Sequence, residues 1–519
     1  MRTVLLPLVL ALSAGCGRAA TTSPARDVAA PPAAASSTLH SYQQARTVLA
    51  RAIEIVGGEA NIRKLRNVSL SYTGHRNMIN QSRRAFPPWD REPALGSAVV
   101  DRERGWMFAE DFTSYPGIGR FGGAWALKGD KGAHWESDRN HHGSEVIYNY
   151  SGRDADGPWA FIPRWMPALM LLETWDSGTN LRWLGNTERS GKPMHALAWT
   201  QRDRATITLL FDAGSGAFDG FESLRGDGVY GDVTVRSEYS DWRVVSGVSF
   251  PARRTEWFNQ EIARQVDLDY RVNIALEDSK FDTPPGYTQP QPMKEGKRLQ
   301  KVADGVYLDT HMGGIMIVEF RTFLAVVECP GDFHMSSSTI AALGEAFPDK
   351  PVRYLVPSHT HGDHGGGARA YFHAGATLVT TPGHVEFYRR LAQVRRTISP
   401  DPYTPDGSGP KIEVFRGKRE ISDGSQTMVL HDIGPNAHSE ELTMVHLPAQ
   451  GIVWQADVYF SPGTGGGVNP AMPIGIDFAR KLKELGVHDF KALLEAHNTR
   501  IVTLEEFRRA LALSGFRGY

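Results

Sequence analysis

Val352-Arg353-Tyr354-Leu355-Val356-Pro357-Ser358-His359-Thr360-His361-Gly362-Asp363-His364-Gly365-Gly366-Gly367 decides how this chain folds and what it does. The apolar stretch Val352 to Pro357 predicts a buried strand. Behind it stand three histidines and an aspartate within six residues. In a strand end, residues two apart project to the same side, so His359 and His361 can share one metal ion. Asp363 and His364 stand at the turn into the next helix and can face a second ion. The three glycines let the backbone pack closely there and start that helix. Nitrogen and carboxylate donors of this kind suit zinc and tolerate iron or manganese. Such a cluster rarely arises from packing alone.

Outward from this motif, residues 299–519 alternate strands and helices. Val306 to Leu308, Ile315 to Glu319 and Thr322 to Val327 predict a strand meander, followed by a helix over Ser338 to Phe347. A strand at Ala376 to Thr380 precedes a helix over Val385 to Arg396. Later strands are expected at Met428 to Ile433, Leu442 to Leu447 and Ile452 to Ala456, with helices at Arg480 to Leu485 and Leu504 to Leu513. Two sheets with helices outside them fit that order.

His-x-His-x-Asp-His after a strand resembles the signature of the metallo-β-lactamase superfamily, and residues 299–519 as a whole resemble that family. The resemblance implies an αββα sandwich and further metal ligands. A third histidine for the first ion should precede a strand, which matches His438 in Pro435-Asn436-Ala437-His438-Ser439-Glu440-Glu441. A bridging aspartate should end the next strand, matching Asp457 in Val453-Trp454-Gln455-Ala456-Asp457, although Ala456 replaces the glycine frequent before it. A last histidine near the C-terminus matches His497 in Leu493-Leu494-Glu495-Ala496-His497. The implied first site is therefore His359, His361 and His438, and the second Asp363, His364 and His497, with Asp457 bridging two zinc ions. Hydroxide shared between such ions would cleave an ester-like, thioester, lactone or amide bond of a small molecule, with Asp363 as ligand and catalytic residue. The bridging Asp457 makes the set look like that of glyoxalase II and related hydrolases. Tyr459 is expected to be a packed tyrosine, and His334 and His384 surface residues.

The first body has another composition. Eleven of the twelve tryptophans precede the aperiodic stretch Pro284 to Lys297, and twelve of the eighteen histidines follow residue 300. A helix is expected over Tyr42 to Val56, stopped by Gly57-Gly58, and strand-and-turn sequence beyond Val68. Ala205 to Phe211, the turn Asp212-Ala213-Gly214-Ser215-Gly216, Val233 to Tyr239, Asp241-Trp242 and Val248-Ser249-Phe250-Pro251 follow one another. That order resembles the half-barrel of periplasmic lipoprotein-carrier proteins. The fold class is thus α+β, with a β-rich half-barrel over residues 40–290 before the αββα sandwich of 299–519. The tryptophans are expected to serve mainly as ordinary core and surface aromatics of that sheet.

At the N-terminus, Met1-Arg2, the apolar run Thr3 to Leu12 and Ser13-Ala14-Gly15-Cys16 make an export signal. Small residues before a cysteine resemble a bacterial lipobox, though Ser13 stands where leucine is usual. The resemblance implies lipidation of Cys16 and anchoring in the periplasm or at the outer membrane; cleavage without lipidation would give a soluble secreted form. Residues 17–39 are expected to be a flexible tether. Cys329, after the apolar run Phe323 to Val327, is expected to be a small buried residue.

Composition sets limits on partners. Lys+Arg 57 against Asp+Glu 58 leaves a net charge of −1, without the basic excess that nucleic-acid binding requires. Two cysteines exclude a disulfide scaffold and a cysteine-rich metal module. Two rival activities share these features. One iron on a subset of the ligands would make a sulfur oxidoreductase; a lipid or acyl ligand in the first body, beside an inactive second body, would make a binding lipoprotein. Oligomeric state leaves no trace in the sequence.

Overall fold

The computed structural model describes residues 36–137, 147–287, 298–311, 313–405, 407–462 and 467–519. The expected export segment with Cys16, most of the tether, His141-His142 and the stretch 288–297 lie outside them. Among the described residues no helix is long and apolar enough to cross a membrane.

Chain order and pairing make the first body one open antiparallel sheet of 13 strands. From Asn67–Asn77 at its middle, the chain meanders outward through Arg91–Asp101, Trp106–Tyr115, Gly119–Lys128 and Lys131–Glu136 to the edge strand Ile147–Ser151. Helical segments between Gly152 and Asp176 then carry it to the opposite edge, Leu181–Arg189. It meanders back to Glu261–Val272, which pairs with Asn67–Asn77. The helix Ser37–Ile55 buries Ala45, Leu49, Ala52 and Ile53, a helical spacing that places all four on one stripe. The helix Pro167–Asp176 is buried nearly all round, as its sequence PALMLLETWD requires, and has proline in its first turn where no backbone donor is needed. Both pack with Leu70, Leu209, Phe211 and Phe250 of the sheet in one core. Trp165 and Trp199 belong to that core and Trp125, Trp159, Trp175, Trp183 and Trp242 pack against it. The helix begins at Ser37, inside the expected tether, because His40 N–H already donates to the Ser36 carbonyl at 2.9 Å.

The second body has four layers. A seven-stranded sheet runs Leu299–Ala303, Val306–Asp309, Ile315–Glu319, Leu324–Val327, Val352–Val356, Thr377–Thr380, Ile412–Val414. A six-stranded sheet runs Lys418–Ser422, Thr427–Asp432, Thr443–Leu447, Ile452–Gln455, Ala492–Glu495, Asn498–Thr503. Met316, Val318, Val327 and Val356 of the first meet Met428, Leu430, Val445 and Trp454 of the second. Helices Phe333–Ala346, Ala368–His373 and Val385–Gln393 contribute Leu343, Tyr371 and Leu391 to a core on the outer face of the first sheet, and Pro473–Glu484 and Leu504–Leu513 contribute Phe478 and Phe507 to one on the second.

Element types agree with the sequence expectations, and several ends move for local reasons. The helix expected from Ser338 begins at Phe333, because the Asp332 carboxylate caps it by accepting from Met335 N–H. The helix expected from Arg480 begins at Pro473, which suits a first turn. The helix expected to reach Arg396 stops at Gln393, where Val394 turns extended. Leu504–Leu513 is as expected, held by a capping box between Thr503 and Glu506.

Candidate metal centre

The strand of the opening motif ends at Val356, so His359 and His361 sit in the loop 357–361 rather than on a strand end. The alternation of a strand therefore does not align them. The loop does, held at Ser358 by one side-chain and one backbone partner: Ser358 N–H donates to Glu328 Oε1 at 2.8 Å, and Thr443 N–H to the Ser358 carbonyl at 2.9 Å. Asp363 and His364 lie in the short helix Gly362–Gly365, at the expected turn. Close packing requires the glycines. A Cβ on Gly366 would lie 2.2 Å from the Gly331 carbonyl oxygen.

All seven sequence-derived ligands converge. His359, His361, His438 and Asp457 form one buried group, and Asp363, His364 and His497 a second beside it. His359 Nε2 lies 2.9 Å from His361 Nδ1 and 3.2 Å from His438 Nε2. Asp457 Oδ2 is 3.2 Å from His438 Nε2, 3.5 Å from His359 Nε2 and 2.8 Å from His364 Nε2, so one oxygen faces both groups. Its Oδ1 is 2.8 Å from His497 Nε2. Asp363 Oδ2 stands 3.6 Å from His364 Nε2 and 3.9 Å from His497 Nε2, with its side chain half-exposed.

The remaining nitrogen of each buried histidine is held from outside. His359 Nδ1 shares a hydrogen bond with Ser358 Oγ (2.9 Å), and His364 Nδ1 lies 2.7 Å from Glu328 Oε2. The other two partners come from the first body: the Ser82 carbonyl at 2.9 Å from His361 Nε2 and the Pro116 carbonyl at 3.1 Å from His438 Nδ1. A carbonyl can only accept, so each of these two rings donates outward and turns a lone pair inward. Gln81 Nε2 donates to Asp363 Oδ1 at 2.8 Å. The hairpin tip carrying Pro116 seats tightly, since a Cβ on Gly117, at φ +72°, would lie 2.6 Å from the Ala437 backbone.

Electrostatics fit a cation. Burial, then the neighbouring His364 and His361, push the His359 imidazole well below its ordinary pKa, and burial with His438 pushes His361 down to about 3. Both are neutral donors. Against its burial, the imidazoles of His364, His497 and His438 hold the Asp457 carboxyl well below the usual range. His364 moves the other way: although burial opposes it, the carboxylates of Asp457, Asp363 and Glu328 raise it well above. His364 Nε2 and Asp457 Oδ1 are buried without a hydrogen-bond partner despite their close neighbours. A converging set of imidazole nitrogens and carboxylate oxygens, with the carboxylates favouring positive charge among them, is what divalent zinc, iron or manganese would satisfy. Glu328 and Asp457 end strands with positive φ, +83° and +56°, the strained backbone that accumulates at functional sites.

Sequence reasoning did not single out Glu328, which ends the strand Leu324–Val327; a carboxylate closing an apolar strand was the available signal. Ser82 and Pro116 act through backbone carbonyls and carry no side-chain signal at all. Cys329 is buried as expected. Tyr459 is buried too, packed edge-on to Phe507 at 4.9 Å as expected of a core tyrosine. His334 is exposed as expected, but His384 is buried, with its Nδ1 3.2 Å from the Oγ1 of buried Thr381.

A cavity of about 670 Å³ opens on the centre, lined on its metal side by Asp363, His438, Asp457 and His497.

No family model and no curated protein matches the chain. Solved structures do. A metallo-β-lactamase from Pontibacter korlensis is 16% identical, covering 42% of this chain and 98% of its own, with a TM-score of 0.32. The FIM-1 metallo-β-lactamase from Pseudomonas aeruginosa, in its mono-zinc form, is 18% identical over 42% and 94%, at 0.31. The stereoselective inverting sec-alkylsulfatase Pisa1 from Pseudomonas sp. is 16% identical over 41% and 40%, at 0.31. Likenesses of this size bear on no substrate.

Proposed function

We propose that this protein is a metal-dependent hydrolase whose second body cleaves an ester-like, thioester, lactone or amide bond. The observation that carries this reading is Asp457 Oδ2, which faces two adjacent ligand groups while the far nitrogens of His359, His361, His364 and His438 are each held by another partner. When bound, a pair of divalent cations supplies an ionised water at neutral pH and Lewis acidity toward the substrate oxygen. His359, His361 and His438 would hold one ion, Asp363, His364 and His497 the other, and Asp457 both.

Asp363 has the second task. Gln81 fixes its Oδ1 while Oδ2 faces His364 and His497, and the residue lines the cavity, where a carboxylate can orient the attacking water and take up its proton. Glu328 holds the His364 ring from behind and keeps its Nε2 turned inward. Export, anchoring through a lipidated Cys16, and a carrier-like half-barrel as the first body belong to the same proposal.

Elemental mass spectrometry of the purified protein, beside an Asp363→Ala variant, tests it. About two zinc ions per chain are expected, fewer in the variant, with turnover lowered about 100-fold or more. Full activity in Asp363→Ala would reject the assignment. A single iron with oxygen-dependent sulfur oxidation would replace hydrolysis, and no metal after zinc is resupplied would leave the binding lipoprotein.

A further inference from the structure

The cavity over the metal centre has a second wall, and the first body builds it. Strands Trp106–Tyr115 and Gly119–Lys128 pair in register Tyr115↔Gly119 and Thr113↔Phe121, so their turn brings Tyr115, Ile118 and Phe121 to one tip. That tip is anchored at the centre itself, through the Pro116 carbonyl on His438 and Gly117 against Ala437. Tyr115 and Phe121 meet edge to face at 5.2 Å, and both line the cavity with Ile118. Phe460, stacked at 6.4 Å on His497, bounds the same space from the second body.

We infer that the hairpin tip is the specificity-determining wall, and that the substrate is an acyl compound carrying an aromatic ring on its acyl part. The inference rests on the hydrolase reading and adds the substrate class to it. Three observations carry it. Aromatic rings provide two of the three apolar side chains of the hairpin tip, and Phe460 adds a third ring from the second body. Among the polar lining of Arg76, Gln81, Glu136 and Asn498, these rings can pair with a substrate ring at the offset and edge-on geometries already set by Tyr115 and Phe121. A volume of about 670 Å³ takes a ring together with the bond to be cut, which an acetyl group would leave largely empty. Finally, the hairpin is fixed to the loop of a metal ligand, so it forms a standing wall beside the place where the reacting carbonyl would lie.

The test uses the full chain loaded with zinc and four matched pairs. Methyl esters, S-methyl thioesters and N-methyl amides of phenylacetic and acetic acid make three, and δ-valerolactone with and without a phenyl group makes the fourth. For whichever bond is cut, kcat/KM for the phenyl member should exceed that of its partner about tenfold or more, the scale of discrimination an apolar pocket gives. Phe121→Ala should bring that ratio close to one, and Phe121→Leu should keep part of it, with metal content and circular dichroism unchanged in both. If Phe121→Ala does not fold, Ile118→Ala and Phe121→Leu must each lower the ratio at least threefold. Equal kcat/KM for the members of the cleaved pair, or a preference untouched by these variants, would overturn the aryl wall and leave the hydrolase standing. No cleavage of any pair by protein that holds its zinc would overturn the hydrolase and this inference together.

Discussion

The Ser82 carbonyl oxygen lies 2.9 Å from His361 Nε2, across 279 residues of chain. Through this contact a turn of the first body sets which nitrogen of a metal-site histidine faces the centre. The Pro116 carbonyl does the same for His438. The two bodies therefore share one centre, and perturbing the first should be felt as metal affinity in the second.

Asp90 holds the turn that presents Ser82. Its Oδ2 accepts from Ser82 Oγ at 2.8 Å and from Arg83 N–H at 2.7 Å, and Arg83 pairs with Oδ1. Against its burial, these partners lower its pKa to about 2. Asp90→Ala should weaken zinc binding severalfold in a chelator competition while leaving every proposed ligand in place. Unchanged affinity would show that the second body orients His361 unaided.

Glu328→Gln addresses the other outer partner. The variant keeps the shape but loses the charge that faces His364 Nδ1 at 2.7 Å, and its amide must divide between His364 and the Ser358 N–H. Partners of this kind typically contribute about 10–100-fold in metal affinity or activity. A loss of that size is expected in zinc titrations, with thermal unfolding of the zinc-saturated protein little changed.

The site was more legible than the fold around it. The seven candidate ligands are legible because each is a side chain with strong chemistry near the end of an apolar run, with Asp457 and His497 where such runs stop, and the fold brings them into two adjacent groups. The sequence pattern places His359 and His361 together on a strand end, but the loop aligns them; strand ends depend on pairing with distant chain, here Leu324–Val327, which local pattern does not contain. The first body's part in the centre was invisible for a different reason. Ser82 and Pro116 act through the backbone, and nothing in the residue types of 79–90 or 115–121 announces a carbonyl aimed at an imidazole.

The first body also buries an ion cluster. Arg254 Nη2 lies 2.7 Å from Glu256 Oε1, and Arg264 Nε 3.5 Å from Oε2, with the Arg254 guanidinium stacked 3.8 Å over Trp165. Burial opposes ionisation of Glu256, but the two arginines win and keep its pKa lowered. Glu256→Gln should leave two cations facing each other beneath the sheet and destabilise this body by about 3–5 kcal/mol, the usual cost of removing one partner of a buried pair. Denaturant unfolding followed by tryptophan fluorescence checks this, because all the tryptophans but Trp454 lie in the first body. A change below about 1 kcal/mol would mean that water or Asp111 takes over the charge.

Acid should unfold the second body by a route separate from the metal centre. Burial lowers the pKa of His384 to about 4, with only Asp432 pulling it back. His431 falls to about 4 for the same first reason, helped by His446 and Lys418. In the unfolded chain both return to about 6.5. The folded state thus binds fewer protons between these values, so their contribution to stability is full above pH 6.5 and is lost as pH falls from 6.5 through 4. For His384, which is almost fully buried, the effect is on the order of 3 kcal/mol. Unfolding free energy measured in zinc-free protein at several pH values should decline across that window. A His384→Gln variant, whose side chain cannot titrate and can still meet Thr381 Oγ1, should decline less steeply. Parallel curves for the two proteins would place the acid sensitivity elsewhere, with His431 the next residue to replace.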